Sequence, residues 1–523
     1  MYIEPNSTIK LLSNVPLDPR QTDTLWFANA NDQYTYFNAK TVRTFSAYSY
    51  QRKDRGYLKV EAPPDSIYHV NYMMFRNTSY SSKWFYAFVL SVEYVNDVTA
   101  YVRFQIDPIQ TWFFDYVAEQ CFIERMHTAS DEIGEHIEPE PCETGEYVMN
   151  NLYEQVGGLF NQYSIVLCVA DPTEVQKGEF YDNIYSNGDL FCWDLDGINT
   201  ITSIQNFIDQ YRSAPDAILD AYMVPTAIIG ARTAMVGDLE GGYYITPRQS
   251  PYSTNVSMTA LTGNETIDGY NPRNNKMYTY PYNFYRVETE TDKLNLRYEF
   301  FNNLTPRFKI TGNLNDPVAL TCKPINYANS GGNAVKTQKL TINNFPICSW
   351  GTDYYKAWLA QNSVPLLMQG AQIATGLAMN THGGEINTMA GLSSVYQIGN
   401  IMGQMYKASI AADITKGNIQ CGNNDFSHNR MHFSGARWSV PANLAERIDD
   451  FFTMFGYAVG KIETPKRHNR SRFTYVKTID CKMSGNVPAD DLASIEGIYD
   501  NGIRFWADTG NVGYYGGSNA VLS

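Results

Sequence analysis

The stretch Val98-Thr-Ala-Tyr-Val-Arg-Phe-Gln-Ile-Asp107 decides the fold class, because apolar and polar side chains alternate along it. A period of two is typical of a β-strand with one buried face. Asn96-Asp97 precedes this stretch, and both residue types tolerate the left-handed backbone of a turn. The sequence therefore predicts a long β-hairpin in which Phe88–Tyr94 pairs with Val98–Ile106. The edges of such a hairpin can pair with a neighbouring subunit.

Other segments indicate a mainly β chain with a few helices. Tyr163–Ala170 is a nearly continuous apolar run, which is typical of a buried strand. Pro441 can begin a helix and Gly456 can end it. Tyr252–Tyr285 is rich in Asn, Thr, Tyr and Pro, so we predict an extended surface loop there. Helical spacing occurs in two further sets, Ile204, Phe207, Ile208 and Tyr211, and Leu492, Ile495 and Tyr499.

The chain is acidic and contains few charged residues. It has 40 Lys and Arg against 54 Asp and Glu, a net charge of −14, and charged residues make up 18% of it. Affinity for nucleic acid rests on cations that neutralise phosphates, so the composition argues against a protein that grips DNA. A negative wall would instead repel phosphate and let DNA slide through a channel. Aromatic residues reach 14%, which favours β-sheet and protein–protein surfaces.

The eight cysteines lie far apart and form no C-x-x-C pair, so the sequence supports neither a zinc ribbon nor a thioredoxin-type site. We expect free, buried thiols in a protein made in a reducing cytoplasm. The first residues contain no basic region followed by an apolar one, and no secretory signal is predicted.

The least charged part of the chain lies between Ala357 and Tyr406, where Glu385 is the only charged residue. Each half is long enough to cross a bilayer as a helix, but interspersed Gln, Asn and Gly make it too polar for a permanent anchor. Small residues four apart, as at Gly399 and Gly403, let helices approach closely in lipid. The apolar positions are Leu366, Leu367, Ile373, Leu377, Met379, Met389, Leu392, Val395, Ile398, Ile401, Met402 and Met405, and the predicted bend is Gly383, Gly384 and Glu385.

Three interpretations of this uncharged segment remain open from composition. It can be sheltered in one state and face lipid in another, which would make it membrane-active. It can be a buried helical hairpin in an ordinary core, with glycines for close packing. It can also be a disordered linker.

Candidate catalytic and metal motifs fail on inspection. Asp194-Leu-Asp196-Gly197 resembles the start of a calcium loop, but the twelfth position holds Gln205 instead of a bidentate acid. Glu138 and Glu140 could form a glycosidase pair, yet carboxylates in acidic loops are usually solvated. No phosphate-binding GxxxxGK[ST] loop is present. We therefore expect a protein that is not an enzyme and needs no cofactor or metal.

One basic cluster stands out in the acidic chain. It could contact DNA, contact an acidic neighbouring subunit, or be a solvated basic loop, and the sequence leaves these readings open. The cluster consists of Lys466, Arg467, His468, Arg470 and Arg472.

Two motifs stand near the two ends of the chain. The first is Asp107-Pro-Ile-Gln-Thr-Trp-Phe-Phe-Asp115 followed by Phe122-Ile-Glu-Arg-Met-His127. The second is Gly485-Asn-Val-Pro-Ala-Asp-Asp-Leu492 with Asn501-Gly-Ile-Arg-Phe-Trp506. Together they resemble the tail knob (distal tail tube) proteins of small short-tailed, picovirus-like phages. The positions that carry the first motif are Asp107, Gln110, Thr111, Phe122, Ile123, Glu124 and Arg125, and we expect them to be structural.

The resemblance implies a fold and a domain order. The N- and C-terminal parts would build a tail-tube-like β-sandwich or barrel unit, beside a second mixed, mainly β domain and a long apolar loop. An acidic, proline-containing stretch, Asp131–Glu146, marks the first predicted boundary. The predicted segments are 1–146, the first part of the tube domain; 147–347, the second domain; 348–425, the uncharged apolar loop; and 426–523, the returning part of the tube domain.

The resemblance also implies a function. Six copies would form a hollow tube at the distal tail of the virion, through which double-stranded DNA passes. The apolar loops would plug the lumen and later help to penetrate the host cytoplasmic membrane. Expected partners are a homo-hexamer, other tail proteins on the tube and connector side, tip enzymes, DNA and membrane lipids. Two alternatives are a receptor-binding or glycan-cleaving tail-tip protein, favoured by a Tyr- and Asn-rich middle region, and a capsid-like scaffold subunit.

Overall fold

The computed structural model describes residues 6–48, 56–79, 81–138, 140–151, 154–156, 162–170, 179–186, 188–195, 200–211, 217–289, 292–315, 318–328, 338–342, 345, 347–348 and 432–522. The chain divides into two compact units. The first unit comprises Met1–Glu146, Gly269–Thr279 and Val440–Ser523, and the second comprises Tyr147–Asp268 and Tyr280–Ser439.

The N-terminal segment supplies nine strands and two helices to the first unit. The strands are β1 Ser7–Ser13, β2 Asp23–Leu25, β3 Thr41–Tyr48, β4 Tyr57–Val60, β5 Val70–Asn77, β6 Phe85–Asn96, β7 Thr99–Ile106, β8 Tyr116–Ala118 and β9 Cys121–Met126. The helices are α1 Ala30–Ala39 and α2 Pro108–Trp112.

Six of these strands form one sheet in the order β3-β1-β5-β6-β7-β4. Its two outer strands, β3 and β4, lie close together. Arg43 of β3 donates to the carbonyl O of Glu61, the residue that follows β4, at 3.2 Å. Phe45 of β3 and Leu58 of β4 also share one apolar core. The sheet is therefore curled towards an incomplete barrel. The predicted hairpin is confirmed as β6 and β7, although Val98 lies at its tip and is 60% exposed.

The described residues in the middle of the chain supply seventeen strands and one helix, α3 Thr200–Gln210, to the second unit. The strands are β10 Val148–Met149, β11 Glu154–Gln155, β12 Tyr163–Val169, β13 Glu179–Tyr181, β14 Ile184–Ser186, β15 Asp189–Asp194, β16 Ile218–Pro225, β17 Arg232–Ala234, β18 Gly242–Ile245, β19 Tyr252–Ser257, β20 Asn283–Glu288, β21 Lys293–Leu296, β22 Arg307–Gly312, β23 Leu320–Pro324, β24 Leu340–Ile342, β25 Ile347–Cys348 and β26 Ser434–Ser439.

These strands form three main sheets and one hairpin. The orders are β17-β18-β15-β12-β16-β25, β10-β26-β20-β21 with β11 also on β26, and β19-β22-β23-β24, while β13 pairs with β14. The strand predicted at Tyr163–Ala170 is confirmed as β12, and the helical spacing at Ile204 to Tyr211 as α3. The surface loop predicted for Tyr252–Tyr285 is wrong in part. It contains β19, and β20 begins at Asn283, because Ser, Thr and Asn can fill the exposed positions of a strand as well as those of a loop.

The C-terminal segment returns to the first unit with four strands and two helices. They are α4 Ala442–Phe455, β27 Tyr457–Glu463, β28 Phe473–Ile479, β29 Met483–Gly485, α5 Ala489–Asn501 and β30 Ile503–Trp506. A five-stranded sheet, β2-β30-β28-β9-β27, combines strands from both ends of the chain, and β29 pairs with β8. These sheets confirm the predicted mainly β fold with one unit built from both chain ends.

The helix predicted between Pro441 and Gly456 is confirmed as α4. Pro441 occupies the N-cap, and Gly456 ends the helix with a φ of 65°, where a side chain would strain the backbone. A Cβ there would also lie 2.4 Å from the backbone of Met126. The helix predicted around Leu492 to Tyr499 is likewise confirmed as α5.

Candidate functional site

The first family motif forms a buried polar junction in the first unit. Asp107 is 2% exposed and caps α2 by accepting from the backbone N of Gln110 at 3.0 Å. Its second oxygen accepts from the hydroxyl of Tyr72 on β5 at 2.9 Å. Burial raises the pKa of Asp107 to about 6, although the bonds from Gln110 and Tyr72 oppose the shift. A carboxyl group that is enclosed and hydrogen-bonded in this way stabilises the fold and is not accessible to a substrate.

Gln110 and Thr111 extend the junction to other elements of the same unit. The amide of Gln110 donates to the hydroxyl of Thr24 at 2.8 Å and to the carbonyl of Leu25 at 2.7 Å, both on β2. Its oxygen accepts from Gln33 of α1 at 2.9 Å. The hydroxyl of Thr111 meets both backbone groups of Tyr86 on β6 at 3.1 Å. The motif thus joins the curled sheet to the five-stranded sheet.

The second half of the motif lies on β9, and its side chains serve different surfaces. Ile123 is fully buried in the core, whereas Phe122 is 40% exposed. Glu124 forms an ion pair with Lys477 of β28 at 2.8 Å. Both partners of this pair are partly exposed, so it adds little stability.

Arg125 belongs to a buried cluster of charges. It donates to Glu140 and to the carbonyl of Gly456, and its guanidinium lies 4.4 Å from the ring centroid of Phe451. Lys276 reaches the same carboxylate at 2.7 Å, and both its side chain and that of Glu140 are at most 2% exposed. Burial by itself would raise the pKa of Glu140, but Arg125 and Lys276 together hold it below its ordinary value.

This cluster argues against the glycosidase pair of Glu138 and Glu140 that the sequence suggested. A catalytic acid or nucleophile must reach substrate, whereas Glu140 is enclosed by Arg125 and Lys276. Glu140 is therefore a structural anion.

The segment Gly269–Thr279 is held in the first unit by a second buried acid, Asp449 of α4. Asp449 is fully buried and accepts from the hydroxyl of Tyr270 at 2.8 Å and from the backbone N of Arg273 at 2.7 Å. The amide of Asn274 donates to its other oxygen at 2.7 Å. The acid therefore binds a turn of the chain instead of a ligand.

His127, the last residue of the motif, is also fully engaged. Its Nδ1 accepts from the backbone N of Tyr475 at 2.8 Å, and its Nε2 lies 3.1 Å from the carbonyl O of Thr453. Burial, and to a smaller extent the charge of Arg470, lowers the pKa of His127 to about 3. The ring is neutral and structural at physiological pH.

Most of the basic cluster from Lys466 to Arg472 is built into the fold and is not a solvated basic loop, while Lys466 is its exposed member. Arg467 donates to the carbonyl O of Phe113 at 2.8 Å. Arg470 is 4% exposed and donates to the carbonyl O of Thr128 at 3.1 Å. His468 stacks on Trp26 with ring centroids 3.7 Å apart, and Arg472 forms an ion pair with Asp508 at 3.3 Å.

The predicted membrane-active positions, Leu366 to Met405, and the bend at Gly383, Gly384 and Glu385 lie outside the described residues. Within the described part of the chain, no helix has the length and apolar character to span a bilayer. No group of metal-ligating side chains occurs among the described residues either.

An exposed apolar row crosses the end of the five-stranded sheet. Phe122 of β9 pairs in register with Ile462 of β27 and with Ile479 of β28. Ile462 is 72% exposed and Ile479 46% exposed. β27 is the outer strand of this sheet, and among the described strands only β9 pairs with it. The sequence alone does not reveal this exposed apolar row, because strands that are far apart in the chain create it.

A row of cations, also missed from the sequence, lies on the outer face of β19-β22-β23-β24 in the second unit. Lys309 of β22 stands directly opposite Lys323 of β23. Cys322 pairs with Leu340, so the register continued by one residue brings Lys339 beside Lys323. Lys309 and Lys323 are 14 residues apart in the chain, and Lys323 and Lys339 are 16 apart. Only the pairing register of the strands shows that the three are neighbours.

Comparisons with known proteins agree with this architecture. A family model described as "Bacillus phage phi29, Tail knob protein gp9, C-terminal domain" matches residues 250–520. A second model, described as "Caudoviral major tail protein N-terminus", matches residues 5–117.

Individual relatives match over nearly the whole chain. The tail knob protein gp9 of Bacillus phage phi29 is 26% identical over 99% of this chain and 100% of its own length. The tail knob protein gp9 of Bacillus phage B103 is 26% identical over 97% of both chains. The solved structure of the bacteriophage C1 tail knob protein, gp12, superposes with a TM-score of 0.65 over 97% of this chain and 98% of that chain, at 14% identity. At that identity the likeness concerns the fold alone.

Proposed function

The chain belongs to the family of the tail knob protein gp9 of Bacillus phage phi29, and from this premise we propose that six copies form a hollow tube at the distal tail. In this proposal the chain is a structural protein of the phage tail, and the tube conducts double-stranded DNA during ejection. Its neighbours would be other tail proteins on the tube and connector side and enzymes at the tip.

The open edge of β27 is the observation that carries the proposal of a ring. Ile462 of β27 is exposed on this edge strand, and the exposed side chains of Phe122 on β9 and Ile479 on β28 continue the apolar surface inward across the sheet. An unpaired, apolar strand edge is a template for pairing with another chain. A subunit that uses different surfaces on its two sides makes a head-to-tail contact, and such contacts form a ring when the rotation between neighbouring subunits closes.

The charge of the chain supports a conduit. With a net charge of −14 per copy, a lumen lined by carboxylates would repel the phosphates of passing DNA. Repulsion along most of the wall would keep the genome from sticking.

The second part of the proposal concerns the uncharged segment between Ala357 and Tyr406. Its apolar positions would be sheltered in the lumen before ejection and would contact the host cytoplasmic membrane afterwards. A shift from the sheltered to the lipid-facing state requires that the lipid-facing state bind the membrane more tightly. Six copies acting together would multiply a weak preference for lipid.

Electron microscopy of the purified full-length protein tests the ring. We expect a six-fold ring with a central hole, and we expect Ile462→Asp to weaken it by placing a charge in the contact. Val236→Asp is the matched control, because Val236 is 83% exposed in the second unit. Sheet-like or icosahedral assemblies, or rings that both variants leave intact, would contradict the proposed contact.

Dye release from liposomes tests the membrane role. A variant with residues 360–420 deleted should form rings but lose most of the leakage, whereas Glu385→Gln should retain it, since that change removes a charge without reducing apolar surface. Equal leakage by the deletion variant would overturn the membrane proposal and leave the tube proposal standing.

A further inference from the structure

The outer face of the four-stranded sheet β19-β22-β23-β24 carries two parallel rows of polar side chains. The first row runs from Asn255 through Lys309 and Lys323 to Lys339. Arg307 lies two residues from Lys309 on the same strand and is exposed. Cross-strand neighbours stand about 5 Å apart, and residues two apart along a strand about 7 Å. The face therefore concentrates four cations within a small area.

The second row consists of hydroxyl groups. Ser253 stands opposite Thr311, Thr311 opposite Thr321, and Thr321 opposite Thr341. The alternate positions, such as Phe308 and Ile310, are buried. The two rows thus lie side by side on the outward surface.

The row of lysines has an electrostatic cost that no acidic residue of its own four strands offsets. Like charges directly opposite each other on neighbouring strands destabilise a sheet. The four strands contain no Asp or Glu. None of the four cations forms an ion pair within the described part of the chain. A bound anion would remove this repulsion.

We propose that this face binds the phosphodiester backbone of double-stranded DNA. The inference rests on the proposed conduit function, to which it adds a specific contact between the protein and its cargo. Lysines and arginine would neutralise phosphates, and threonine and serine hydroxyls would donate to phosphate oxygens, as in protein–DNA contacts that position the backbone.

The composition of the face favours a contact that ignores base sequence. The outward positions of its strands hold no aromatic side chain on which unpaired bases would stack. A contact to phosphates alone carries no base readout. Four cations per copy give weak, salt-sensitive binding, which guides a moving genome without holding it.

Binding of a fluorescent 30-base-pair duplex to the full-length protein at low salt tests the inference, with the affinity measured by anisotropy across a salt series. We expect the double variant Lys309→Gln with Lys323→Gln to bind about tenfold more weakly and to lower the slope of log affinity against log salt by about 2. It should unfold at the same or a higher temperature than the parent, because a like-charge pair has been removed.

A double variant, Lys293→Gln with Lys482→Gln, is the matched control, since it removes the same charge from exposed lysines that lie outside this face. We expect less than a twofold change for this control. An equal loss in both double variants would assign the affinity to net charge and overturn the inference. A parent that fails to bind DNA at low salt would overturn it as well.

A flexible poly(glycerol phosphate) distinguishes DNA from another phosphodiester polymer. We expect it to compete no better than duplex DNA per phosphate, and a stronger competitor would reassign the face to that class of ligand. Ring formation is scored separately by microscopy. If the protein forms rings but does not bind DNA, only the DNA-binding inference is contradicted. If it binds DNA but forms no rings, the proposed tube is contradicted.

Discussion

The basic side chains between Lys466 and Arg472 and the lysines of the four-stranded sheet differ in their surroundings. The first set is contiguous in the sequence and attracts attention as a nucleic-acid site, but Arg467 and Arg470 donate to backbone carbonyls inside the first unit. Lys309 and Lys323 are separated in the sequence and meet only through strand register. Cations bonded to backbone carbonyls hold a fold together, whereas lysines on one sheet face without an ion-pair partner are available to a ligand.

Buried acids in the first unit are likewise bound by partners within that unit. Glu140 has two cationic partners, and Asp449 has three donors from Gly269–Thr279. Removing one partner from such a group leaves the buried charge only partly compensated. Changes in the two regions should therefore differ in what they damage, stability in the first and binding in the second.

The largest expected effect is on the Glu140 cluster. Lys276→Met should lower the free energy of unfolding of the first unit by about 3–5 kcal/mol, because Glu140 is then paired with Arg125 alone in a buried site. Lys309→Met is the control on the sheet face and should change stability by less than about 0.5 kcal/mol. Urea unfolding measures both, and equal losses would break the comparison.

The next effect concerns the motif junction. Gln110→Ala should cost up to about 3 kcal/mol, because donors and acceptors on Thr24, Leu25 and Gln33 lose their buried partner. Thermal unfolding gives the loss. A change as small as that of an exposed glutamine would mean that the junction does not join the two sheets.

The pH dependence of stability sharpens the comparison further. His127 has a folded pKa of about 3 against an ordinary value of 6.5, so its contribution is complete above pH 6.5 and is lost as pH falls towards 3. When the pH falls from 7 to 5, this single ring should lower the free energy of unfolding by about 2 kcal/mol. His127→Gln should remove that part of the slope in urea unfolding at the two pH values, and identical slopes in parent and variant would refute the assignment.

The smallest effect is expected at the exposed pair of Glu124 and Lys477. Their carboxylate and ammonium groups are partly solvated, so Lys477→Gln should change stability by at most about 1 kcal/mol. Thermal unfolding at low and high salt measures the change. A loss comparable to that of Lys276→Met would mean that exposure does not decide the strength of these pairs.

Local patterns predicted local structure well. Alternation along Val98–Ile106 gave the hairpin, and Pro441 with Gly456 gave α4, because each signal acts within a few residues. The tail-tube-like unit built from both chain ends required a family resemblance in addition, since β9 and β28 pair across about 350 residues of sequence.

Partnerships at long range could not be predicted from the sequence. Neither the burial of Glu140 beside Lys276 nor the exposure of Ile462 beside Phe122 has a local signature. The lysine row is the clearest case, because a shift of one residue in the pairing of β22 and β23 would send every side chain of one strand to the opposite face.

Protection of lysines by DNA tests the difference between the two regions most directly. The full-length protein is treated with a mild acetylating reagent, with and without duplex DNA at low salt, and each lysine is quantified by mass spectrometry. We predict that DNA lowers the modification of Lys309, Lys323 and Lys339 several-fold and leaves Lys461, Lys466 and Lys482 unchanged. Protection of Lys466 with unprotected sheet lysines would contradict the account.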